Sequence, residues 1–301
     1  MIEHASEMAA FVRVVDLHGF SAAAPTLGLS PSAVSKLVTR LETRLGVRLL
    51  QRTTRALHLT AEGEVFYTAA RRLVGELEAL ESMIAGRSGT PSGVLRVTTS
   101  LAFSTHQLAP VLSEFLDRYP MLSVELLPTD RVVDMVEEGI DIALRIGRLA
   151  DTSFMARKIG EDKRLVCASP DYLARHGTPR RPEDLARHNC LVARDRTHLN
   201  RWPFKVDDRL VEVEVRGRVA VTEGETQMQL ALQGVGIVRV TRLTLAQAIR
   251  EGRLVPLLQE FSAEEPVAIH AVYPHRRHLA PKVPAFVNFL IEKFTPPPWE
   301  I

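Results

Sequence analysis

The first sixty residues hold two helical patterns separated by only a few residues and a glycine, and a longer amphipathic pattern precedes them. Residues 21–27 predict a short helix that Ser21 caps and Gly28 ends. The second pattern opens with a capping Ser30 and with Pro31 at the first helical position. Two helices joined by so short a turn predict a helix-turn-helix, whose second helix can enter the major groove of DNA.

The second helix of this pair has two chemically different faces. Its apolar residues recur every three or four positions from Val34 to Leu45, so that face should pack inward. Hydroxyls and cations remain outside, and these groups suit base edges and phosphates. Residues 47–60 then alternate around a basic turn, which predicts a two-stranded wing. The candidate DNA-contacting residues are Ser30, Pro31, Ser32, Ser35, Lys36, Thr39 and Arg40 on the helix, and Arg52, Thr53, Thr54 and Arg55 on the wing.

Charge is concentrated in this segment, although the whole chain carries a formal charge of only +2. Between Lys36 and Arg55 there are six basic residues and one acid, Glu42. On an isolated helix such residues would indicate only a solvated face. Because short helix, turn, capped helix and basic hairpin occur in order, we expect double-stranded DNA as the partner.

A long helix follows the wing. Thr60 caps it, and its apolar residues recur at alternating spacings of four and three, which predicts a short coiled-coil seam. A helix packed on its own domain is the alternative, but the flexible composition of residues 86–93 favours a projecting helix that pairs with a second copy. The predicted dimerisation residues are Phe66, Ala70, Leu73, Leu77, Leu80 and Ile84.

The remaining two thirds of the chain alternate strand and helix patterns. Residues 94–146 predict a parallel βαβαβ arrangement in which VVDMVEEG forms the second helix. A second set of strands and helices follows, and the Pro-rich end TPPPWEI is expected to be poorly ordered. The fold class is therefore α/β overall, with an N-terminal winged helix-turn-helix. The predicted parts are the winged helix-turn-helix 1–59, linker helix 60–87, hinge 88–92, a two-lobed effector domain 93–295 (93–162 with 265–295, and 163–264), and tail 296–301.

The segment FVRVVDLHGFSAAAPTLGLSPSAVSKLVTRLETRLGVRLLQRTTRALHLTAEGEVFY resembles the LysR-type transcriptional regulators of bacteria. The resemblance continues through LRVTTSLAFSTHQLAPVLSEFLDRYP, DIALRIGRL and CASPDYLARHGTPRRPEDLARHNCLV. It implies a homodimer or a dimer of dimers that binds an operator and responds to a small-molecule effector. It also implies that the effector domain is similar to periplasmic solute-binding proteins.

A two-lobed α/β domain should bind its ligand in the crevice at the carboxyl ends of the strands. A polar residue at a strand end can also simply cap the next helix. A helix N-terminus near Ser100 would favour an anionic group, so the sequence suggests an organic acid as effector. The candidate effector-binding residues are Ser100, Phe103, Ser104, Thr129, Arg145, His198, Thr222 and Arg239.

Other function classes lack a signal in the sequence. Cys167 and Cys190 are far apart and have no ligand spacing, so neither a disulfide nor a metal site is expected. No catalytic or cofactor motif is complete, no secretory signal or membrane span is evident, and a cytoplasmic regulator without a cofactor is the expectation. A solute-binding receptor and an α/β enzyme are the alternatives, the enzyme being weaker because no nucleophile and base can be named. Activation of transcription would require contact with RNA polymerase.

Overall fold

The chain folds into two compact units, Met1–Thr90 with Val133–Ile140 and Pro91–Val132 with Asp141–Ile301. The structure, a computed structural model, describes residues 2–52, 57–85, 91–147, 149, 154–263, 266–274 and 280–300. The predicted fold class is confirmed: a helix-turn-helix with a wing and a long helix lies in the first unit, and a two-lobed α/β region forms the second.

The first unit packs its helices around one apolar core. Its elements are α1 Ile2–Asp16, α2 Phe20–Thr26, α3 Pro31–Leu45, β1 Leu50–Arg52, β2 Leu57–Leu59 and α4 Ala61–Ala85. Helix α2 begins earlier than the sequence suggested, because the carbonyl of Gly19 accepts the first helical hydrogen bond, from the Ala23 N–H. Ser21 therefore lies inside the helix, and the prediction that it caps α2 is wrong.

The first lobe of the second unit is built on a five-stranded sheet in the order β4-β3-β5-β14-β6. Strand β3 runs parallel to both β4 and β5, as predicted, whereas β14 is antiparallel to its neighbours β5 and β6. The strands are β3 Gly93–Thr99, β4 Leu122–Pro128, β5 Ile142–Ile146, β6 Phe154–Asp162 and β14 Val267–Pro274, and the helices are α5 Leu101–Phe103, α6 Ala109–Arg118 and α10 Lys282–Lys293.

The predicted helix VVDMVEEG between β4 and β5 is absent, and turns occupy residues 135–139. Asp134 Oδ1 accepts hydrogen bonds from the backbone N–H groups of Val136 and Glu137, which starts a helical turn. Gly139 has φ +63°, and the N–H of Ile140 bonds the carbonyl of Met135, which closes that turn at once. The start and stop signals are too close together for more than one turn.

The second lobe has its own small sheets. Strand β7 is central and antiparallel to both β12 and β13, so the main sheet of this lobe is not the parallel type that the first lobe shows. Only the short β8 and β11 pair in parallel. The elements are β7 Arg164–Ala168, α7 Pro170–His176, β8 Val192–Ala193, β9 Arg201–Val206, β10 Arg209–Glu214, β11 Ala220–Val221, α8 Gly224–Leu232, β12 Val238–Thr241, α9 Arg242–Arg250 and β13 Val255–Leu257.

The Pro-rich end of the chain is packed, contrary to the prediction of poor order. Trp299 is 1% exposed and belongs to the core of the first lobe. Its indole Nε1 donates to the carbonyl of Glu161 at 3.1 Å, and its ring lies 5.4 Å from that of Phe294. A large aromatic side chain that finds both an apolar site and a hydrogen-bond acceptor orders this segment despite its composition.

Candidate functional site

Helix α3 is fixed by its cap and by its buried face. The Ser30 hydroxyl accepts from the Ala33 N–H, and Pro31 occupies the first helical position, as predicted. Val34, Val38 and Leu41 are fully buried in the core of the first unit. Because these side chains can face only inward, the orientation of the helix about its own axis is determined.

The opposite face of α3 carries the predicted polar residues to solvent. Ser32, Lys36, Thr39 and Arg40 are exposed, and Ser35 is half-buried. The Thr39 hydroxyl donates to the Ser35 carbonyl at 2.9 Å. Lys36 and Arg40 lie one turn apart, and no ion pair joins either of them to another described side chain. This face therefore presents two cations and several hydroxyls.

Two other charged residues of α3 have structural partners. Arg44, which the sequence counted in the basic segment, donates to Glu7 on α1, with Nη2 and Oε2 2.9 Å apart. Glu42 accepts from the N–H groups of Leu49 and Leu50 at 2.8 and 3.0 Å. The one acid of the segment therefore anchors the chain that leads into the wing, and Arg44 contributes less to the surface field than its sequence position suggested.

The wing is formed by β1 and β2, which pair antiparallel from Leu50 opposite Leu59 to Arg52 opposite Leu57. Arg52 lies at the end of β1, and its side chain is outside the described part. Thr53, Thr54 and Arg55 also lie outside the described residues. A hairpin at the predicted position is therefore present, and the contacts of its tip stay a prediction.

The predicted dimer seam on α4 divides into two parts. Phe66 and Ala70 pack in the core of their own unit, with the rings of Phe66 and Phe11 5.5 Å apart and Ala70 1% exposed. Ala70 is thus enclosed by its own unit and cannot contact a partner, whereas a partner contact of the half-buried Phe66 stays a prediction. Leu73 and Leu77 are exposed by 45% and 38%. The side chains of Leu80 and Ile84 lie outside the described part.

The two lobes of the second unit meet along a short π-helical segment, Ser104–Leu108, that joins α5 to α6. His106 Nε2 lies 2.7 Å from Oε2 of Glu225 at the start of α8. Gln107 Nε2 donates to the carbonyl of Leu243 on α9 at 2.8 Å. The extra residue of a π turn changes which side chains face the other lobe, and such segments occur often at functional sites.

A carboxylate, Asp130, lies at the same junction. Its side chain is 11% exposed, and Arg196 of the second lobe approaches it at 3.6 Å. Burial raises the pKa of the Asp130 carboxyl above its ordinary value, while the charge of Arg196 opposes that shift.

Arg145, the last residue but one of β5, lies near this carboxylate. Its guanidinium donates to the Arg131 carbonyl at 3.3 Å. Burial lowers the pKa of Arg145, and the nearby charge of Asp130 acts to raise it. A partly desolvated guanidinium has several donors and can bind a planar anion, so Arg145 is the predicted effector residue whose surroundings best fit ligand binding.

Three other predicted residues of the first lobe have local roles. The Ser100 hydroxyl accepts from the Phe103 N–H at 3.2 Å, and the Thr129 hydroxyl accepts from the Arg131 N–H at 3.2 Å. Phe103 is fully buried beside Phe294. Assigning Phe103 to the effector site is therefore wrong, because core side chains enclose it. Ser104 is 8% exposed within the π-helical segment.

The predicted residues of the second lobe do not converge. The carbonyl of Thr222 accepts from Arg196 at 3.4 Å, so Thr222 lies near Asp130. His198 is exposed on a 3-10 turn. Arg239 lines a cavity of about 250 Å³ formed entirely by the second lobe, between β7, β9, β12 and β13. Arg239 is thus misplaced in the predicted crevice, because β12 is antiparallel to β7 and presents this residue beside Val166.

Sequence reasoning missed the charged residues that join the lobes. These are His106, Asp130, Arg196 and Glu225. Asp130 follows Thr129 at the end of β4 and could have been found by extending the strand-end rule by one residue. His106 could not, because its direction depends on the π-helical turn. Within the described residues no group of three or more metal-ligating side chains occurs. No described helix is long and apolar enough to cross a bilayer.

Comparisons with known proteins agree with both halves of the chain. Residues 6–64 match the family model described as bacterial regulatory helix-turn-helix protein, lysR family, and residues 88–295 match LysR substrate binding domain. The chain is 36% identical over 293 residues to the HTH-type transcriptional regulator CrgA of Neisseria meningitidis, covering 97% of this chain and 98% of that relative. It is 34% identical over 290 residues to the HTH-type transcriptional regulator DmlR of Escherichia coli, covering 96% and 94%.

Solved structures show the same relationship. A structure of CrgA, a LysR-type transcriptional regulator from Neisseria meningitidis, superposes with a TM-score of 0.65 at 37% identity, covering 95% of this chain and 97% of that one. The full-length structure of the Vibrio cholerae virulence activator AphB gives a TM-score of 0.59 at 28% identity, covering 95% and 98%.

Proposed function

Because this chain belongs to the LysR-type family of transcriptional regulators, which bind DNA and small-molecule effectors and are not enzymes, we propose a specific division of labour among its residues. Lys36 and Arg40 bind DNA phosphates, and the hydroxyls around Ser32, Ser35 and Thr39 read base edges. The observation that carries this proposal is that these groups share one face of α3, opposite a fully buried apolar stripe. All of them are exposed except Ser35, which is half-buried.

The wing adds contacts on the flanking backbone. Arg52 ends β1, whose start is held by Glu42 of α3, and Thr53, Thr54 and Arg55 follow it in the sequence. Because the Glu42 carboxylate links α3 to the wing, the two parts should approach a DNA duplex as one rigid body. Phosphate contacts from both would fix the register in which the hydroxyls of α3 meet the bases.

Effector binding between the lobes supplies the regulation. His106, Asp130 and Arg145 bring polar groups to the junction, and a ligand there changes the relation of the lobes only if it binds one arrangement better than another. In a homodimer or a dimer of dimers, that change would alter the spacing of the recognition helices and the bend of the operator. Contact with RNA polymerase would accompany activation, and the cytoplasm, where the chromosome lies, is the proposed location.

The test is DNA binding by the full-length protein across a salt series, using the DNA upstream of its own gene. Each phosphate contact that is lost lowers the slope of log affinity against log salt by about 1, so the double variant Lys36→Ala/Arg40→Ala should flatten it by about 2. Footprinting of the wild type should show half-sites separated by about one helical turn or a multiple of it.

The matched control is Arg209→Ala, which removes an exposed cation from β10 in the second unit and should leave the slope unchanged. Equal slopes for the wild type and the double variant would contradict the assignment of Lys36 and Arg40. A wild type without salt-dependent DNA affinity would instead support the solute-receptor alternative.

A further inference from the structure

The second lobe contains a cavity that is separate from the junction between the lobes. Its volume is about 250 Å³, below the roughly 300–1,000 Å³ typical of pockets for drug-sized ligands, so it suits a smaller molecule. It lies between the sheet of β7, β12 and β13 and the strand β9. Helices α8 and α9 pack on the opposite face of that sheet, where Cys167, Val238 and Val240 are buried with residues of both helices.

Three cations line this cavity, and its described lining contains no acid. They are Lys163, Arg164 and Arg239. Val166 of β7 lies opposite Arg239 of β12, and Arg164 is two residues from Val166 on β7. Because alternate residues of a strand point to the same face, the two arginines occupy diagonal positions of one face, about 7–8 Å apart. Both are half-buried, so their charges are only partly hydrated.

These cations can bind an anion even where one of their donors has a partner inside the protein. A guanidinium carries five N–H donors in a planar fork, and two of them suffice to bind a carboxylate. Two like charges on one partly desolvated face repel each other, and an anion between them removes that repulsion. Lys163 adds a third positive charge to the same cavity. The cationic side of the cavity therefore fits a carboxylate.

Apolar side chains line the side of the cavity along β13. Val166, Phe204 and Leu257 belong to the buried core of this lobe. Leu257 lies opposite Val166 on the side of β7 away from Arg239. A ligand that joins a carboxylate to a small apolar body would match both sides of the cavity, whereas inorganic phosphate would match only the cations.

The cavity also lies beside both chain segments that connect the lobes. Lys163 directly follows β6 of the first lobe, and Ser262 and Ala263 line the cavity shortly before the chain returns to that lobe as β14. Leu258, in the cavity wall, has φ +54°. This left-handed conformation is uncommon for residues other than glycine and recurs at ligand-binding sites. A molecule in the cavity would therefore contact both connections between the lobes.

We propose that this cavity is a second ligand site, which binds a small organic acid with its carboxylate at Arg164 and Arg239 and its apolar body against Val166 and Leu257. Arg239, which the sequence placed in the crevice between the lobes, then binds a ligand at a different position. Such a ligand would restrict the movement of the two connecting segments and hence of the lobes. Binding itself is independent of the function proposed above, and only this regulatory consequence rests on it.

Phenylacetate is the probe, because it joins one carboxylate to an apolar ring. A saturation-transfer NMR titration of the full-length protein should show binding with a Kd on the order of 1 mM. Arg239→Gln should weaken it at least about tenfold, because a charge-assisted contact is lost. The neutral phenylacetamide, which has the same shape, should bind the wild type at least about tenfold more weakly, and so should inorganic phosphate, measured by its competition with phenylacetate.

Arg209→Gln is the matched control, because it removes an exposed cation from β10 of the same lobe and should leave the affinity unchanged. Arg145→Gln tests the junction between the lobes. If it weakens binding as much as Arg239→Gln does, the probe binds at the junction and the proposal is wrong. The proposal is also overturned if the wild type does not bind phenylacetate at about 10 mM, or binds phenylacetamide or phosphate equally well.

Hydrogen–deuterium exchange of the wild type covers the case in which Arg239→Gln does not fold. Saturating phenylacetate should slow the exchange of backbone amides in residues 204–206 and 257–263, which line or adjoin the cavity. Protection confined to residues 100–104 and 129–131, at the junction, would overturn the proposal. Operator binding is measured separately: DNA affinity without probe binding rejects only the cavity site, and probe binding without DNA affinity rejects only the regulatory function.

Discussion

Individual side chains decide how the two lobes of the second unit contact each other. Besides Asp130 and Arg196, a hydrogen bond between His106 and Glu225 crosses from one lobe to the other, with the two side chains 17% and 13% exposed. Burial opposes ionisation of Glu225, but hydrogen bonds from His106 and Gln229 outweigh it and hold the pKa of Glu225 below its ordinary value. Its charged form is therefore favoured in the folded state.

This lowered pKa predicts a pH-dependent contribution to stability. An acid whose pKa is depressed by folding stabilises the native state above its ordinary pKa, which is 4.5 here, and loses that effect as the pH falls through the lowered value. Glu225→Gln should therefore be less stable than the wild type at pH 7, and the difference should shrink as the pH falls below 4.5. Urea unfolding of both proteins between pH 7 and pH 3 measures it.

Glu212→Gln serves as the control, because it removes an exposed carboxylate from β10 that bonds no other described side chain. If the difference in free energy of unfolding between the wild type and Glu225→Gln stays constant over the whole pH range, the charge of Glu225 does not cause that difference.

The exposure of individual residues was predictable from sequence where the apolar pattern of a helix allows only one orientation of that helix. The exposed residues of α3 follow from the buried Val34, Val38 and Leu41, so the exposure of Lys36 and Arg40 was predicted correctly, while their contacts with DNA stay a prediction. In the effector region, by contrast, a strand end does not tell which way the next side chain points. Consequently Phe103 was expected in the crevice and lies in the core.

At the scale of elements, the start of α4 packs closely against the chain that leads into the wing. The Thr60 hydroxyl donates to the Arg48 carbonyl at 2.7 Å and accepts from the Gly63 N–H at 2.9 Å. Gly63 packs so closely on the backbone that a Cβ there would lie 2.1 Å from the Leu49 carbonyl oxygen. Glycine is thus required where α4 crosses the start of the wing.

Gly63→Ala should destabilise the first unit by about 1–3 kcal/mol, because a backbone atom cannot yield as a side chain would. Gly75→Ala is a matched control in the same helix, since a Cβ at Gly75 meets nothing within 4 Å and alanine is the better helix former by about 1 kcal/mol. Denaturant unfolding should separate the two variants in sign. Equal effects would mean that the contact with Leu49 is relieved by a small shift of α4.

Element prediction succeeded where burial produced a clear apolar pattern. The parallel strands β3, β4 and β5 were recognised, and in β3 and β5 consecutive buried residues give short apolar runs. Strand β6 was missed. Strand β6 lies at the edge of the sheet and most of its residues are exposed, so its sequence carries no strong alternation. Helix α9 was missed for the opposite reason, because apolar residues are buried around most of its circumference.

At the scale of the whole molecule, we propose that dimerisation rests on the exposed apolar residues of α4. Leu73 and Leu77 lie one turn apart on the exposed side of the helix, whereas Val74 between them packs in the core of its own unit. Exposed leucines repeated at this spacing are typical of a helix that pairs with another copy. Binding two half-sites would depend on that pairing.

Leu73→Asp/Leu77→Asp should therefore yield monomers, because two carboxylates in an apolar seam cannot be desolvated without partners. Sedimentation velocity measures the mass, and operator affinity should fall with it. Val65→Asp, also on α4 and 75% exposed, should leave the oligomer intact because it lies off the seam. An unchanged mass for the double variant would place the main interface elsewhere.

The buried Trp299 has a consequence for how this protein is made. The first lobe begins at β3 and is completed only by α10 and Trp299, about two hundred residues later in synthesis. On the ribosome, the helix-turn-helix can fold as soon as it emerges. The first lobe of the second unit can complete its fold only after almost the whole chain has been synthesised. A nonsense codon just before Trp299 would therefore release a chain with a folded DNA-binding domain and an incompletely folded effector domain. Such a product could still bind operators but could not respond to the effector.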